Sequence, residues 1–322
     1  MMNKRDKKIC YLNEPYLKDM VNEETGFLAA LSRPKRRVLS WDCYNTIMIV
    51  AIDIGGTKTL IATANKNGNI ISKFKFPSPI NYEEYVQVLV KNVNDIAKNQ
   101  PIDRISIGSA GTIDRNNGVI VNSPNLKWLN KPLVSDLSKS LDCQNIVIEN
   151  DANLAGLSEA HSLDNVNQKV MYVTFSTGIG TGFVENGVLD PELLDSEGGH
   201  MVFEHDGKMM DWESFAAGRA IVEKYGKRAA ELDDEAAWRD ISKNMAIGIV
   251  NNCAVFMPDT VIIGGGVGTY FDKYSKFLRE EIDILIPISE MIPKPKVVGA
   301  KYAEEAVILG CILLAKQHEQ RS

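Results

Sequence analysis

Positions 47–54 form an apolar, largely β-branched run interrupted only by Asp53 and closed by Gly55-Gly56, which predicts a buried central strand. Residues 60–64 and 70–76 flank Asn67-Gly68, and because that pair supports positive φ they are predicted as a hairpin. Tyr85, Leu89, Val93 and Ile96 then recur at helical spacing. Residues 104–109 read as a strand, 133–140 as a short helix and 145–149 as another strand, so the order is β-β-β-α-β-α-β. After Asp151 a helix through Leu154, Leu157 and Ala160 leads into strands at 170–175 and 182–185, separated by a glycine-rich turn. Trp238, Ile241, Met245, Ile249, Cys253 and Phe256 mark a long helix. Residues 260–263 form a strand, and Phe271, Tyr274, Leu278 and Ile282 form a helical stripe. Pro287, Pro293 and Pro295 break the pattern before Val297-Val298 and a last apolar helix from Ala303 to about Lys316. Two copies of one β-β-β-α-β-α topology predict two like domains with a cleft between them.

Length agrees with this, since 322 residues fit two domains at ~100–200 residues each. The net charge of −6 argues against a nucleic-acid partner, which needs clustered Lys and Arg. The five cysteines are scattered with none at CxxC spacing, which suggests a reducing setting. No apolar run reaches the roughly 18–20 residues of a membrane span, and the basic start lacks the apolar stretch of a signal peptide, so a cytoplasmic location is expected. Residues 1–47 differ from the rest: nine Lys or Arg and six Asp or Glu give this segment +3, leaving −9 for the remainder. It reads as a flexible basic extension; a short DNA-binding head would need a recognition helix that is not evident.

Three glycine-rich elements carry the candidate chemistry. Asp53-Ile-Gly-Gly-Thr-Lys58 is neither a P-loop nor a dinucleotide fingerprint. At a tight turn, amides near Gly55 and Gly56 can approach phosphate oxygens, with a hydroxyl from Thr57 and charge from Lys58. Asp53 can hold Mg²⁺ through its waters. A plain β-turn accounts for the same letters. Residues 176–182, Ser-Thr-Gly-Ile-Gly-Thr-Gly, repeat the theme in the second half, with Thr177 and Gly178 as phosphate contacts. Gly264-Gly265-Gly266 would leave a flat surface for a purine, or simply permit close packing.

These elements, with Glu149-Asn-Asp-Ala-Asn153 and Glu197-Gly-Gly-His200, resemble the ROK family of hexose kinases and repressors. The resemblance runs from Met48 nearly to the end. It implies an α/β fold of the two-domain actin-like ATPase, ribonuclease H-like type, with residues 48–150 plus a C-terminal helix 303–322 as a small domain and 151–302 as a large one. It implies Asp151 as the general base that takes a proton from a sugar hydroxyl, Asn150, Glu197 and His200 as sugar ligands, Glu213 as a further acidic ligand, and Gly111 and Asn125 as lining residues. ATP and Mg²⁺ would be the donor system, with polyphosphate disfavoured by the acidic charge. Glucose phosphorylated at its 6-hydroxyl is the expected reaction. N-acetylmannosamine, N-acetylglucosamine, fructose and allose are alternatives, as are a sugar-responsive transcriptional regulator and an actin-like filament. Family members commonly form homo-oligomers, so a dimer is expected.

One departure stands out. Many members hold a structural zinc with three cysteines and the His of the Glu-Gly-Gly-His element, yet no cysteine lies between Cys143 and Cys253. No zinc site is therefore expected. His205, Asp206 and Asp211 could offer an oxygen and nitrogen substitute, but they read as exposed polar residues. Packing by Phe203, Met209, Met210 and Trp212 is expected to support His200 instead.

Overall fold

The computed structural model describes residues 47–286 and 291–321. The expected N-terminal extension, residues 1–47, lies outside them apart from Ile47. The first half contains β1 (Met48–Ile54), β2 (Lys58–Asn65), β3 (Ile70–Pro77), α1 (Tyr82–Ala97) and β4 (Arg104–Ser109), then the short strands β5 (Thr112–Asp114), β6 (Val119–Ser123) and β7 (Trp128–Lys131), then α2 (Leu133–Leu141) and β8 (Ile146–Asn150). Next come α3 (Asp151–Ala160), β9 (Lys169–Phe175), β10 (Ile179–Glu185), β11 (Val188–Leu189), β12 (Val202–His205), β13 (Lys208–Asp211), α4 (Trp212–Ala216), α5 (Gly218–Tyr225) and α6 (Glu235–Phe256). The chain continues through β14 (Thr260–Gly264), α7 (Gly265–Gly268), α8 (Phe271–Leu285), β15 (Lys296–Gly299) and α9 (Ala306–Arg321).

Two five-stranded sheets repeat one design. The first has the order β3-β2-β1-β4-β8 and the second β11-β10-β9-β14-β15. In each, the first two pairings are antiparallel and the last two parallel. The first sheet buries Ile52, Ile61 and Ile107 against Tyr85 and Leu89 of α1 and Leu137 of α2. The second buries Val173, Phe175 and Ile263 against Trp238, Met245 and Ile249 of α6 and Leu278 of α8.

Helices α3 and α9 lie between the sheets. Leu154 of α3 joins Ile308, Cys311, Ile312 and Ala315 of α9 under β1 and β2, while Ala155, Leu157 and Ala160 of α3 pack on Val170, Tyr172 and Val184 of the second sheet. Every residue of α3 from Ala152 to Ala160 is buried. A helix clothed on all sides needs small side chains, and its sequence, Ala-Asn-Leu-Ala-Gly-Leu-Ser-Glu-Ala, supplies them.

Several local expectations change. Strand β10 begins at Ile179 rather than Gly182, so only 176–178 form the turn, and Gly180 is a strand residue. A Cβ at Gly182 would stand 2.6 Å from the Ala152 carbonyl, so glycine there lets α3 approach the sheet. The hairpin predicted around Asn67-Gly68 exists, but only Gly68 has positive φ, and Asn65 Oδ1 accepts the amides of Asn67 and Asn69. Sheet β5-β6-β7 was not predicted; Trp128 anchors it by packing edge-on to Tyr82 and Tyr85, at 5.3 and 4.7 Å between ring centroids. Residues 202–211 are likewise a hairpin, turning through Asp206 and Gly207, both at positive φ. No helix among the described residues is long and apolar enough to cross a membrane.

Candidate active site

Asp151 stands at the first turn of α3, where the end of β8 delivers it between the sheets. Asn150 is the N-cap: its Oδ1 accepts the amides of Ala152 at 2.8 Å and Asn153 at 3.4 Å. Asp151 Oδ1 also accepts the Ala152 amide at 2.9 Å, which fixes the carboxylate against the helix terminus. Capping therefore belongs to Asn150, and Asp151 is held in place beside it. Burial raises the Asp151 pKa, and the backbone hydrogen bonds partly oppose that rise.

The carboxylate borders a cavity of about 300 Å³ whose lining includes Asp53, Tyr172, Thr174, Gly265, Gly266 and Glu304. Asp53 is the next-to-last residue of β1 on one sheet, Thr174 belongs to β9 on the other, and Glu304 precedes α9. Burial first, and then Asp151, push Asp53 up to about 7; Lys75 opposes the shift and Glu304 adds to it. Lys75 Nζ pairs with Glu304 at 2.6 Å. Burial and the neighbouring negative charge that hold Asp53 protonated are what a hard cation would relieve, so the donor chemistry at Asp53 is compatible with Mg²⁺.

In the turn after β1, the Gly55 amide donates to the Lys58 carbonyl at 3.0 Å, so this amide is spent inside the turn. Gly56 makes room for Asn125: a Cβ there would meet the Asn125 side chain at 2.7 Å. Thr57 and Lys58 are exposed, and Lys58 is close enough to help lower the Glu304 pKa. Across the cleft Gly265 has φ +80 as β14 passes into α7. Gly264 and Gly265 also line a second cavity of about 400 Å³ with Tyr172, Phe271, Asp272 and Arg279. The two cavities share Tyr172, Gly265, Thr269 and Ala303, so a groove passes from the two aspartates over the glycines towards Arg279. The triple glycine is a strand-to-helix corner along this groove.

Thr177 is exposed at the tip of the β9–β10 turn. The following Ile179 amide donates to Glu213 Oε2 at 2.8 Å, and Gly178 makes room for that carboxylate. The other oxygen, Oε1, lies 3.8 Å from Arg219. Glu213 thus ties α4 to the turn. Burial raises the Glu197 pKa, opposed by His200 and assisted by Asp151 and Glu213, which gathers those four residues into one electrostatic neighbourhood. Gly111, at φ +105, accepts from Asn150 Nδ2 at 3.4 Å.

His200 is supported differently from expectation. Its Nδ1 contacts Asp211 Oδ2 at 3.3 Å. Met209 is 69% exposed and gives no support, while Trp212 is fully buried under the hairpin and Phe203 packs on Phe215. The physical reason is strand alternation: Phe203 and Met210 face inward, so their neighbour Met209 faces out.

Other residues carry a structural burden that sequence reasoning did not isolate. Arg115 Nε and Nη2 hold the buried Glu149 carboxylate at 2.7 and 2.6 Å, Nη2 also donates to the Leu194 carbonyl at 2.9 Å, and Nη1 pairs with Asp195. Asn153 Nδ2 donates to both Glu149 and Leu194 at 2.9 Å. This network fastens Asn150 and the approach to Glu197 together. A glutamate at a strand end beside Asn150 signals a partner, but nothing local names Arg115. Among the described residues no group of three His, Cys, Asp or Glu side chains is arranged to hold a metal. With no cysteine between Cys143 and Cys253, a thiolate zinc centre does not fit this chain.

The ROK family profile matches residues 49–318. The glucokinase of Streptomyces coelicolor is 24% identical over 312 residues, covering 84% of this chain and 98% of that protein. The fructokinase of Lactococcus lactis subsp. cremoris is 29% identical over 252 residues, covering 73% and 84% respectively. Among solved structures, the ROK family glucokinase from Streptomyces griseus in complex with glucose and AMPPNP superposes with a TM-score of 0.69 at 24% identity, covering 84% of this chain and 99% of that one.

Proposed function

The chain belongs to the ROK family and has the two-domain actin-like ATPase fold, and from that premise we propose that it is an ATP-dependent hexose kinase that phosphorylates glucose at its 6-hydroxyl. The observation that carries this reading is the cavity shared by Asp53, Asp151, Gly265 and Gly266. It brings two desolvated carboxylates and a glycine corner to one point. Small and large domains correspond to residues 48–150 with 303–322, and 151–302.

The reaction follows from those groups. The sugar lies against Asn150, Glu197, His200 and Glu213, with Gly111 and Asn125 on the rim; these acceptors and donors read hydroxyls in fixed directions. Asp151 accepts the 6-hydroxyl proton as that oxygen bonds to the γ-phosphorus. The bond from phosphorus to the bridging oxygen breaks and ADP leaves. The proton then passes from Asp151 to solvent. Gly56, Thr57, Lys58, Thr177 and Gly178 surround the phosphates, Gly55 shapes the turn that presents them, and Gly264 to Gly266 pass beneath the nucleoside. Asp53 would hold Mg²⁺, which would supply charge neutralisation during phosphoryl transfer. Catalysis here is mostly positioning and electrostatics, with the base contributing on the order of 10²–10⁴-fold. A homodimer in the cytoplasm without a nucleic-acid partner completes the proposal.

A coupled ADP-release assay over a hexose panel tests it. Glucose-dependent release that is abolished by chelating Mg²⁺ is expected. Asp151→Asn should lose at least ~10²-fold in kcat while binding sugar within a few-fold of wild type. Release with no sugar in the panel, or full activity in Asp151→Asn, would overturn the reading.

A further inference from the structure

The contact between His200 and Asp211 has a consequence for how the proposed sugar site reads its ligand. Asp211 is the last residue of β13 and the N-cap of α4, the helix that carries Glu213. Its Oδ1 accepts the Ser214 amide at 2.9 Å and its Oδ2 meets His200 Nδ1 at 3.3 Å. One carboxylate thus contacts His200 of the proposed sugar site and caps the helix that carries Glu213. The hairpin supporting it is pinned at its far end, where the His205 ring stacks on Phe215 at 4.2 Å and its Nε2 contacts Asn244 of α6 at 3.2 Å. The Trp212 amide donates to the Met201 carbonyl at 2.9 Å, closing the segment between His200 and α4.

We propose that Asp211 is a positioning residue that holds His200 in the tautomer protonated at Nδ1, so that bare Nε2 accepts a hydrogen bond from a sugar hydroxyl; this rests on the kinase reading for the identity of the ligand. A carboxylate is an acceptor only, so the nitrogen facing it must carry the proton. The other ring nitrogen of a neutral imidazole is then an acceptor. The pKa of Asp211 is lowered, chiefly by Ser214 and also by His200, so the carboxylate stays ionised and cannot donate. The His200 side chain is 55% exposed, so a ligand can reach it. In a chain without the cysteines of a zinc centre, this pair supplies the orientation of the imidazole from protein groups alone.

Asp211→Asn separates this role from capping. Asparagine caps helices as well as aspartate, so α4 is retained. Its amide, however, can turn an N–H towards Nδ1 and favour the opposite tautomer. The tautomer is read by ¹⁵N NMR of the ligand-free protein at about pH 8.5, above the usual imidazole range, with the His200 signals assigned by their loss in His200→Gln. Wild type should show protonated Nδ1 and unprotonated Nε2. Asp211→Asn should shift towards protonated Nε2 and raise the KM for sugar at least tenfold, leaving kcat and the KM for ATP within about threefold. Protonated Nε2 in wild type, or an Asp211→Asn protein with unchanged sugar KM, would overturn the proposal. The wild-type measurement decides even if the variant fails to fold. Because that spectrum needs no substrate, a failure of every hexose to react counts against the kinase reading and is distinguishable from a wrong tautomer.

Discussion

Asp53 shows how one residue can be poised for a cation and cost the empty protein stability. Its pKa rises from 3.8 to about 7, first through burial and then through Asp151. Between those two values the native state holds a proton that the unfolded chain has released. The stabilising contribution is therefore present below pH ~4 and is lost as pH rises through about 7. Other carboxylates overlay opposite trends, since Asp114 and Glu231 are shifted down. The difference between wild type and Asp53→Asn isolates the one group. In Mg²⁺-free urea unfolding, that variant should gain stability relative to wild type as pH goes from about 5 to about 8. A pH-independent difference would mean that Asp53 ionises normally. Asp151 follows the same logic in its direction, but the proposed reaction requires it ionised, which is why the opposing amides of α3 matter.

At the scale of elements, α3 is where packing and chemistry meet. Its first residue is the proposed base, and its flanks are closed by glycines on two neighbours, Gly182 on β10 and Gly310 on α9. A methyl at Gly182 would stand 2.6 Å from the Ala152 carbonyl, and backbone on both sides leaves little room to yield. Gly182→Ala should destabilise by ~1–3 kcal/mol in denaturant unfolding. It should also lower kcat, because the displacement falls one residue from Asp151; a stable variant with wild-type kcat would contradict that coupling. The sequence made β1, the hairpin around Gly68 and the long helices readable, because their signals are local and periodic. It also singled out Asp53 and Asp151 through short motifs, and the fold brings these two to one cavity. Gly180 misled, since glycine for a turn and glycine for close approach look the same in one dimension. The strands around Trp128 are three to five residues long and depend on aromatic partners in α1. Arg115 pairs with Glu149 from 34 residues away, a partnership only the fold reveals. Asp206-Gly207 was a readable hairpin signal.

For the molecule as a whole, the arrangement of the two sheets predicts how ligands act together. Helices α3 and α9 run between them, and Glu159 reinforces the crossing by accepting the amides of Lys301 and Tyr302 at 2.8 and 2.7 Å, just before α9. The Ser158 hydroxyl donates to the Ala306 carbonyl at 2.7 Å. A nucleotide in the proposed groove would touch Asp53 of one sheet and Gly265 beside the other, while sugar would touch Asn150 on β8 and Glu197 after β11. Each ligand therefore spans the same joint. The first to bind meets the cost of ordering the joint, and the second finds it already ordered. Any single ligand at 100 times its Kd stabilises a folded protein by ~2.7 kcal/mol through mass action alone. Glucose and Mg²⁺–AMPPNP together should exceed the sum of their separate stabilisations at matched saturation, and each should tighten the other's Kd by the same factor. Calorimetric titration of each ligand with and without the other measures that factor. A value of one would mean that the lobes take the two ligands independently, with α3 and α9 acting as a rigid spacer.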